Sequence, residues 1–462
     1  MSCMHVYDTK VKVESSRIVR PLYEDGAAAE TTEWMPLSVF DTVTYSENVA
    51  IIYAFRPPNP PSAALEVGLA RTLAVYREWA GRLGRGPDGR RAVLLNDAGV
   101  RFVEATVDAP LAVAVPFRPS PEVKRLHPTI DDGPVEELLQ VQVTRFSCGS
   151  MVLGFAANHS IADGQATGNF LVAWGLATRR LPVEPLPVRD RSTRFMPRDP
   201  PIVEFQHRET EYKVPAPAKK READGGEVDY DDEEEEIGAA AHDKIKVHKV
   251  HFTKEFVARL KARASSGLPP SRRGYTTFES VVAHLWRAVT AARGLSAGET
   301  TNIRLSVNGR ARMRPPVPRD YFGNLVLWAF PRCDAGDLVS RPVQHAAELI
   351  HRAVAVVDDA YFRSFVDFAS SGAVESERLV PTADSNQLVL CPNLELDSWL
   401  GINFYGLDFG GGCPFFFMPS YFLMEGTLFL VPSFLGDGSI EVYVGLFENH
   451  LNEFKKICYN IA

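Results

Sequence analysis

The sequence predicts a mixed α/β protein with two domains. The chain has 462 residues, more than a single hydrophobic core accommodates, so two domains of about 200 residues each are expected. Strand-like and helix-like hydrophobic patterns are mixed irregularly along it, without strict alternation. Residues 215–244 are strongly acidic with almost nothing to bury, which predicts a disordered crossover linker. We therefore assign residues 1–214 to an N-terminal domain and residues 245–462 to a C-terminal domain.

In the N-terminal half, short apolar runs and period-two alternation predict strands, whereas leucines at helical spacing predict helices. The predicted strands are 10–21, then 92–95 and 101–105 as a hairpin-like pair, then 138–146 and 150–157 as a second pair. The predicted helices are 64–83, which a Gly- and Pro-rich turn ends, and 164–177.

The C-terminal half repeats this theme, with two helices of ordinary length and one long amphipathic helix. The predicted strands are 247–252, 305–308 and 325–330. The predicted helices are 253–264, capped by Thr253, then 276–292 and 345–369. Both halves therefore read as mixed sheets with covering helices.

Composition excludes several classes of partner. A net charge of −8 and an isoelectric point near 5.8 argue against nucleic acid, which normally requires a concentrated basic face. The apolar stretch 414–436 contains three prolines and breaks into strand-length pieces, so no membrane span is expected. The N-terminus lacks the features of a secretory signal, and six scattered cysteines suit a reducing compartment. We expect a cytoplasmic protein, and nothing in the sequence requires more than a monomer.

A histidine and an aspartate stand four residues apart where an apolar segment ends. Residues 158–164 read Asn-His-Ser-Ile-Ala-Asp-Gly, so His159 is expected to emerge from a strand end. A histidine can take a proton near neutral pH, and Asp163 can either support the ring or hold the turn that aims it. A metal pair is not expected, because tight sites need three or four ligands and no second cluster lies nearby.

A glycine-rich motif, Asp-Phe-Gly-Gly-Gly at 408–412, stands near the C-terminus. The two motifs together resemble the signatures His-x-x-x-Asp-Gly and Asp-Phe-Gly-Trp-Gly of the plant BAHD acyltransferases, which move an acyl group from coenzyme A to an alcohol or amine. Gly411 stands where that family usually has tryptophan. Further landmarks in family order are 36–41, 79–83, 277–287, 308–310, 321–324 and 397–399.

The resemblance implies two similar chloramphenicol-acetyltransferase-like domains with a substrate channel between them. His159 would be the general base of a direct transfer from acyl-coenzyme A, which is a co-substrate, and no permanently bound cofactor is expected. Asp163 would turn away from the ring and pair with an arginine. Gly164 would permit the tight turn and leave room for the thioester. Asp408, with Gly410 and Gly412, would be structural and would pair with an arginine such as Arg310.

Two further groups of residues are assigned to the substrates. The loop before the helix at 276–292 suits the phosphates of coenzyme A, because arginines near a helix start bind anions well. Its candidate residues are Ser271, Arg272, Arg273, Thr276 and Thr277. Ser398 and Trp399 are candidate substrate-binding residues, and Ser398, a backbone N–H or a water could serve the thioester oxyanion in place of the missing tryptophan. The glycine run at Gly411 could instead widen the floor beneath the acyl group.

The acceptor is predicted from the aromatic run 415–421, which resembles the monocot subgroup that makes phenolic amides from agmatine, putrescine or tryptamine. Asp41 and Glu425 are candidate anchors for a cationic amine. We expect an N-acyltransferase that joins a hydroxycinnamoyl or benzoyl group to an aryl-alkyl amine such as tryptamine. The alternatives are agmatine or putrescine, an alcohol acceptor, or a non-catalytic binding relative, against which the intact His159 and Asp163 argue.

Overall fold

The computed structural model describes residues 10–24, 32–115, 117–128, 135–215, 244–383 and 387–461. The predicted linker at 215–244 lies outside these residues apart from its two end positions. No helix in this part of the chain has the length and apolar character that crossing a bilayer requires. The same residues contain no group of three or more His, Cys, Asp or Glu side chains arranged to hold a metal ion.

The strands are β1 Lys12–Val19, β2 Glu33–Pro36, β3 Asn48–Phe55, β4 Arg82–Arg85, β5 Arg91–Leu95, β6 Val100–Val107, β7 Leu139–Phe146, β8 Met151–Asn158, β9 Tyr212–Lys213, β10 Ile245–Phe252, β11 Thr300–Asn308, β12 Val326–Ala329, β13 Arg332–Asp334, β14 Val380–Pro381, β15 Leu394–Ser398, β16 Phe416–Pro419, β17 Thr427–Pro432 and β18 Ile440–Phe447. The α-helices are α1 Val39–Thr42, α2 Ser62–Val75, α3 Leu111–Ala114, α4 Gly164–Thr178, α5 Arg191–Arg194, α6 Lys254–Ala264, α7 Thr277–Arg293, α8 Ala335–Ser340, α9 Val343–Val356, α10 Asp359–Ser370, α11 Ala373–Ser376 and α12 Glu448–Ile457. Short 3₁₀ helices lie at Arg77–Ala80, Pro121–Leu126 and Phe404–Gly406.

The chain divides into two compact units. Unit 1 comprises residues 1–199, 308–326 and 401–421, and unit 2 comprises 200–307, 327–400 and 422–462. Two segments from the C-terminal half of the sequence therefore belong to unit 1. One of them supplies β16, which pairs antiparallel with β3.

Unit 1 is built on a six-stranded sheet with the strand order β1-β6-β7-β8-β3-β16. Strands β7 and β8 form the predicted antiparallel pair, and β3 lies on the other side of β8. Helices α2 and α4 pack against each other, and the buried Trp174 indole N–H of α4 donates to the Leu65 carbonyl at 2.8 Å. Strand β8 is thus held in the middle of the sheet by a neighbour on each side.

Unit 2 contains a seven-stranded sheet with the order β10-β18-β17-β15-β11-β12, and β13 also pairs with β11. Helix α7 packs against α6, α9 and α12. A capping box between Thr276 and Glu279 starts α7, and the left-handed Gly294 ends it. The predicted cap of α6 is also present, because the Thr253 hydroxyl accepts from the Phe256 N–H.

Three predictions about elements were wrong. The helix predicted over 64–83 ends at Val75, where Tyr76 leaves helical geometry and Trp79 turns inward to pack on Phe170. The run 92–95 pairs with β2 and β4, whereas 101–105 lies in β6, so the two runs belong to different sheets. The helix predicted over 345–369 is two helices, because the Asp358 carboxylate accepts from the Ala360 and Tyr361 N–H groups and starts α10.

Candidate active site

His159 lies directly beyond the end of β8, at the start of the short loop that leads into α4. Strand β8 is buried along almost its whole length, so the segment that presents this histidine is part of the core. The His159 N–H donates to the Glu47 carbonyl at 2.9 Å. The Asn324 side-chain amide donates to the His159 carbonyl at 2.9 Å. The main chain is therefore fixed on both sides of the histidine Cα.

The imidazole ring is half-buried, and its Nδ1 lies 3.2 Å from the Thr44 hydroxyl oxygen. The Tyr45 ring packs edge-on at a centroid distance of 6.0 Å. Burial lowers the pKa of His159 below its ordinary value, although the negative charge of Asp163 acts in the opposite direction. Hydrogen bonds of the ring with its own main chain and with the Asn324 side chain also act to raise the pKa of His159. The lowered pKa favours the neutral imidazole at pH 7, which can accept a proton.

Asp163 faces away from the imidazole and caps α4. Its carboxylate forms a bidentate pair with Arg310, at 2.6 and 3.0 Å, and both side chains are less than 5% exposed. It also accepts from the N–H groups of Ala166 at 3.0 Å and Leu325 at 3.1 Å. This geometry matches the implied pairing with an arginine and leaves no hydrogen bond for the ring. Asp163 therefore holds the loop that carries His159.

Asp41 is a second buried carboxylate next to the same loop, and it is 0% exposed. One oxygen accepts from the backbone and side-chain N–H groups of Asn324, both at 2.9 Å. The other accepts from Arg191 at 3.1 Å and from Ser38. The prediction that Asp41 anchors a cationic amine is wrong, because protein donors already occupy both oxygens.

Glu425 is likewise unavailable to an amine. It lies in unit 2, is 0% exposed, and receives both the Nε and Nη2 hydrogens of Arg293 at 2.9 Å. The Cys391 N–H adds a further donor at 3.1 Å. The prediction of an anchoring role for Glu425 was wrong for the same physical reason. A carboxylate neutralised this completely is part of the core of its unit.

Gly164 is the first residue of α4, and its position leaves little space. An ideal Cβ there would lie 2.7 Å from the Ile402 Cδ1 atom. Glycine thus lets the start of α4 pack closely on residues 402–404. The proximity of Gly164 to a bound thioester stays a prediction.

The predicted coenzyme A loop lies in unit 2, before α7. Arg272 is already engaged, because it pairs with Glu348 and lies over the Tyr275 ring at 5.5 Å. The Thr276 hydroxyl is used in the capping box of α7. Arg273 is exposed and, among the described residues, has no ion-pair partner. Arg273 therefore has the most accessible positive charge in this loop, with Ser271 and Thr277 exposed or half-buried beside it.

The Asp408 motif forms a closed loop at the other end of the sheet from His159. One Asp408 oxygen accepts from the N–H groups of Gly410 at 2.7 Å and Gly412 at 2.9 Å. The other pairs with Arg179 at 3.3 Å, so the prediction of Arg310 as its partner was wrong. Both glycines have positive φ, 106° and 102°, which other residues rarely adopt. The eight residues of β8 separate this loop from His159 by about 26 Å.

Gly411 is glycine because another backbone segment occupies the space beside it. An ideal Cβ there would lie 1.9 Å from the carbonyl oxygen of Pro58, and that carbonyl belongs to the turn after β3. The suggestion that Gly411 widens a floor beneath the acyl group is wrong, since the direction of a side chain is already filled. The aromatic run that follows is also largely internal, with Phe416 and Phe417 only 7% and 1% exposed.

Ser398 ends β15 in unit 2, and Trp399 follows it. Both are half-buried. The Trp399 N–H donates to the Leu430 carbonyl at 2.8 Å, and its ring lies 5.0 Å from the Phe429 ring. The Trp399 side chain is therefore packed against β17. Ser398 remains a predicted substrate-binding residue.

The same strand carries two carboxylates to which sequence reasoning gave no role. Glu395 and Asp397 are two residues apart on β15 and so share one face of the strand. Burial, together with the charge of Glu395, raises the pKa of Asp397 to about 6, against a hydrogen bond from Ser306 and the charge of Arg304. The alternation Leu-Glu-Leu-Asp at 394–397 was the available signal. An acidic residue held in this state favours a cationic ligand.

A polar cavity of about 200 Å³ lies in unit 2 beside these residues. Its charged lining consists of Glu209, Glu395, Lys213 and Arg304. Arg304 lies 3.8 Å from Glu395 and packs on the Trp328 ring at 4.0 Å. The cavity therefore gives Glu395 access to small polar molecules while Arg304 balances part of its charge.

Comparison with known sequences identifies the family. The sequence model of the Transferase family matches residues 9–461. Agmatine coumaroyltransferase-1 of Hordeum vulgare is 53% identical over 459 residues, which cover 98% of this chain and 100% of the relative. Putrescine hydroxycinnamoyltransferase of Oryza sativa subsp. japonica is 55% identical over 458 residues, with 98% and 100% covered. Tryptamine hydroxycinnamoyltransferase 2 of the same rice is 39% identical over 454 residues, with 98% and 99% covered.

Two solved structures share the fold. Vinorine synthase is similar with a TM-score of 0.69 at 21% identity, over 96% of each chain. F. sporotrichioides TRI101, complexed with coenzyme A and T-2, is similar with a TM-score of 0.71 at 16% identity, over 92% of this chain and 97% of the other. The predicted mixed α/β class is confirmed, and the molecule has the two-domain acyltransferase fold. The chain belongs to the Transferase family, the BAHD acyltransferases, and is an acyltransferase.

Proposed function

We propose that this protein transfers a hydroxycinnamoyl group from coenzyme A to the primary amine of agmatine or putrescine, with His159 as general base. The observation that supports this most strongly is the state of His159. Burial lowers its pKa, its main chain is fixed on both sides, and the Asp163 carboxylate does not bind its ring. Asp163 does not bind the ring because its carboxylate is paired with Arg310.

In the proposed reaction the neutral amine nitrogen attacks the thioester carbonyl carbon while an amine proton passes to Nε2 of His159. A C–N bond forms, the C–S bond breaks, and the departing thiolate takes the proton from the imidazolium. The products are an amide and coenzyme A thiol. The low pKa of His159 suits this cycle, because the imidazolium returns its proton readily.

Two observations favour an aliphatic cationic acceptor over the aryl-alkyl amine predicted from the sequence. The relatives named for putrescine and agmatine are 55% and 53% identical, whereas the relative named for tryptamine is 39% identical. The aromatic run that suggested an aromatic acceptor packs internally, since Phe417 lies 4.9 Å from the Tyr53 ring and 4.6 Å from the Phe404 ring.

The carboxylates of Glu395 and Asp397 supply a chemical reason for this choice. The amine that attacks must be neutral, so a carboxylate has no charge–charge attraction to it at that step. Agmatine and putrescine carry a second cationic group, and tryptamine does not. The raised pKa of Asp397 indicates a carboxylate that a nearby cation would stabilise. We assign Glu395 and Asp397 to recognition of that second group.

Acyl-coenzyme A is the proposed donor. Arg273 is the residue of the loop before α7 that we assign to a coenzyme A phosphate, because Arg272 is already paired with Glu348. TRI101, which has a similar fold, was solved in complex with coenzyme A, and this supports acyl-coenzyme A as the proposed donor. We assign the thioester oxyanion to Ser398 or to backbone N–H groups.

An acceptor screen tests the proposal. Purified protein is incubated with p-coumaroyl-coenzyme A or benzoyl-coenzyme A and with agmatine, putrescine, tryptamine or an alcohol of similar size. Products are identified by mass, and thiol release is followed in parallel. We expect amides of agmatine or putrescine with the highest kcat/KM for p-coumaroyl-coenzyme A. A preference for tryptamine would contradict the acceptor assignment, an ester product would indicate an O-acyltransferase, and no thiol release with any pair would indicate a binding protein.

A further inference from the structure

The Glu348 carboxylate accepts hydrogen bonds from three side chains in unit 2. One of its oxygens accepts from Arg272 Nη2 at 2.5 Å and from the Tyr275 hydroxyl at 2.6 Å. The other accepts from Arg352 Nε at 2.6 Å. Glu348 and Arg352 lie four residues apart on α9, whereas Arg272 and Tyr275 belong to the loop before α7. The carboxylate therefore links this loop to α9.

The charges in this cluster are fixed at neutral pH. Both arginines carry a permanent positive charge. Burial, together with the Glu348 carboxylate, raises the pKa of Tyr275 to about 12, so its hydroxyl keeps the proton that it donates. Although burial acts to raise the pKa of Glu348, hydrogen bonds from Tyr275, Arg272 and Arg352 lower it to about 2. Glu348 is therefore an anion held by three donors.

The same three donors suit a phosphate group. Guanidinium groups bind carboxylate and phosphate through the same N–H donors. The cluster is open to solvent, because the side chains of Arg272 and Arg352 are 35% and 75% exposed and that of Glu348 is 21% exposed. Arg273 follows Arg272 directly and is also exposed. A phosphate that approaches this loop therefore competes with Glu348 for the two arginines.

We propose that Arg272, Tyr275 and Arg352 form a phosphate-binding site, which Glu348 occupies in the free protein and which a phosphate of acyl-coenzyme A occupies when the donor binds. The inference rests on the proposed function, in which acyl-coenzyme A is the donor. Glu348 is then an internal competitor that weakens donor binding without contact with the reacting atoms. Because coenzyme A carries the same phosphates as its thioester, Glu348 also favours release of this product.

The test is Glu348→Gln, with Glu377→Gln as the matched control. Glu377 forms a partly exposed pair with Arg208 in the same unit, so the control removes an equal charge outside the cluster. We expect Glu348→Gln to lower the KM for p-coumaroyl-coenzyme A about two- to fivefold, as loss of a partly exposed ion pair implies. The KM for agmatine should not change. An unchanged or raised donor KM in Glu348→Gln would overturn the inference, and so would an equal fall in Glu377→Gln.

The thioester of dephospho-coenzyme A, which lacks the 3′-phosphate, identifies the phosphate group that binds. If the 3′-phosphate occupies the site, the native protein and Glu348→Gln should have the same KM for p-coumaroyl-dephospho-coenzyme A. If the pyrophosphate occupies it, Glu348→Gln should lower this KM as well.

Calorimetric titration with coenzyme A gives a readout that does not depend on turnover. We expect Glu348→Gln to bind coenzyme A about two- to fivefold more tightly than the native protein. The double variant Arg272→Gln/Glu348→Gln should lose this gain, because the arginine that Glu348 releases is then absent. Equal Kd values for the native protein and Glu348→Gln would overturn the inference. Tighter binding by Glu348→Gln in a protein that forms no amide would instead locate the failure in the proposed function.

Discussion

Asp163 and His159 stand four residues apart in sequence, yet their side chains have different partners and different roles. The His159 ring contacts the Thr44 hydroxyl, whereas Asp163 accepts four hydrogen bonds from Arg310, Ala166 and Leu325. The difference arises because α4 begins at Gly164, which makes Asp163 the N-cap and points its carboxylate at the helix start. Mutations at the two positions should therefore have different effects.

Asp163→Asn is expected to reduce stability more than it changes chemistry. Loss of the carboxylate leaves the buried Arg310 charge without its partner, which typically costs about 3–5 kcal/mol. Denaturant unfolding measures the change in free energy. Asp190→Asn is the control, because Asp190 and Arg194 form a partly exposed pair, 38% and 24% exposed, expected to contribute about 1 kcal/mol or less. Native stability with a large loss of kcat would contradict the structural role and favour a direct role in catalysis.

Asp397 is expected to make the KM for agmatine depend on pH. Its pKa of about 6 means that the carboxylate is ionised above pH 6 and protonated below it. KM for agmatine should therefore rise as pH falls through about 6. Asp397→Asn should raise KM about ten- to a hundredfold at pH 7.5, as loss of a hydrogen bond to a charged group implies, and should remove this pH dependence. The KM for p-coumaroyl-coenzyme A is the internal control, and an unchanged agmatine KM would contradict the assignment.

Asp397 also gives a stability test, in which the substitution that weakens agmatine binding is expected to stabilise the fold. The pKa of Asp397 is higher in the folded protein than its ordinary value, so the folded state binds this proton more tightly than the unfolded chain does. The contribution of Asp397 to the free energy of unfolding is thus fully present below about pH 4 and is lost as pH rises through about 6. Asp397→Asn removes the half-buried charge and should raise the melting temperature at pH 8 but not at pH 4. A lower melting temperature at pH 8 would show that the ionised carboxylate stabilises the fold.

At the scale of elements, α4 connects the two motifs of unit 1. Its N-cap is Asp163, and its C-cap is Arg179, which pairs with Asp408. The helix has 15 residues and therefore spans about 22 Å. The Asp408 loop can thus stabilise the far end of the helix whose near end aligns the His159 loop.

Gly411→Ala should destabilise unit 1 without affecting the chemical step. A Cβ would meet the Pro58 carbonyl, and overpacking of this kind typically costs about 1–3 kcal/mol. Gly401→Ala is the matched control, since a Cβ there meets nothing within 4 Å. Unfolding curves and kcat per folded molecule are measured for both variants. A rate gain in Gly411→Trp for acyl donors of every size would contradict this account and restore the role of a missing oxyanion donor.

Several elements could be predicted because their signals are local. The strand pair 138–146 and 150–157, the helix at 164–177 and the Thr253 cap follow from short-range periodicity and capping. The break in the predicted helix 345–369 was missed because apolar periodicity continues through Asp358, whose capping role depends on the turn it makes. The partners of Asp41, Asp163 and Asp408 could not be predicted. The arginine partner of each lies more than 140 positions away in the sequence, so only the folded chain brings the two side chains together.

At the scale of the whole molecule, the acidic segment 215–244 concentrates negative charge in one place. The net charge of the chain is −8, and this segment contains the longest acidic run. It lies almost entirely outside the described residues, so its role rests on composition alone. A stretch with so few apolar side chains has little surface with which to dock on a folded unit.

Replacement of residues 222–241 with a Gly/Ser connector of equal length should therefore leave amide formation within about twofold of the native rate, because a flexible chain of that length still spans the same distance. Limited proteolysis should also cut this segment before the rest of the chain. The intact protein at matched concentration is the reference for both measurements. Loss of activity in a folded variant would show that the acidic run takes part in catalysis or in substrate entry.

The most direct test of the central claim is the turnover of His159→Ala with p-coumaroyl-coenzyme A and agmatine, both saturating. The native protein should release thiol and form the amide in equal amounts. The variant should have a near-native melting temperature, because the half-buried ring forms no ion pair in the described part of the chain. Its kcat should fall by about 10²-fold or more, as loss of a general base implies. Native turnover in the folded variant would contradict the account.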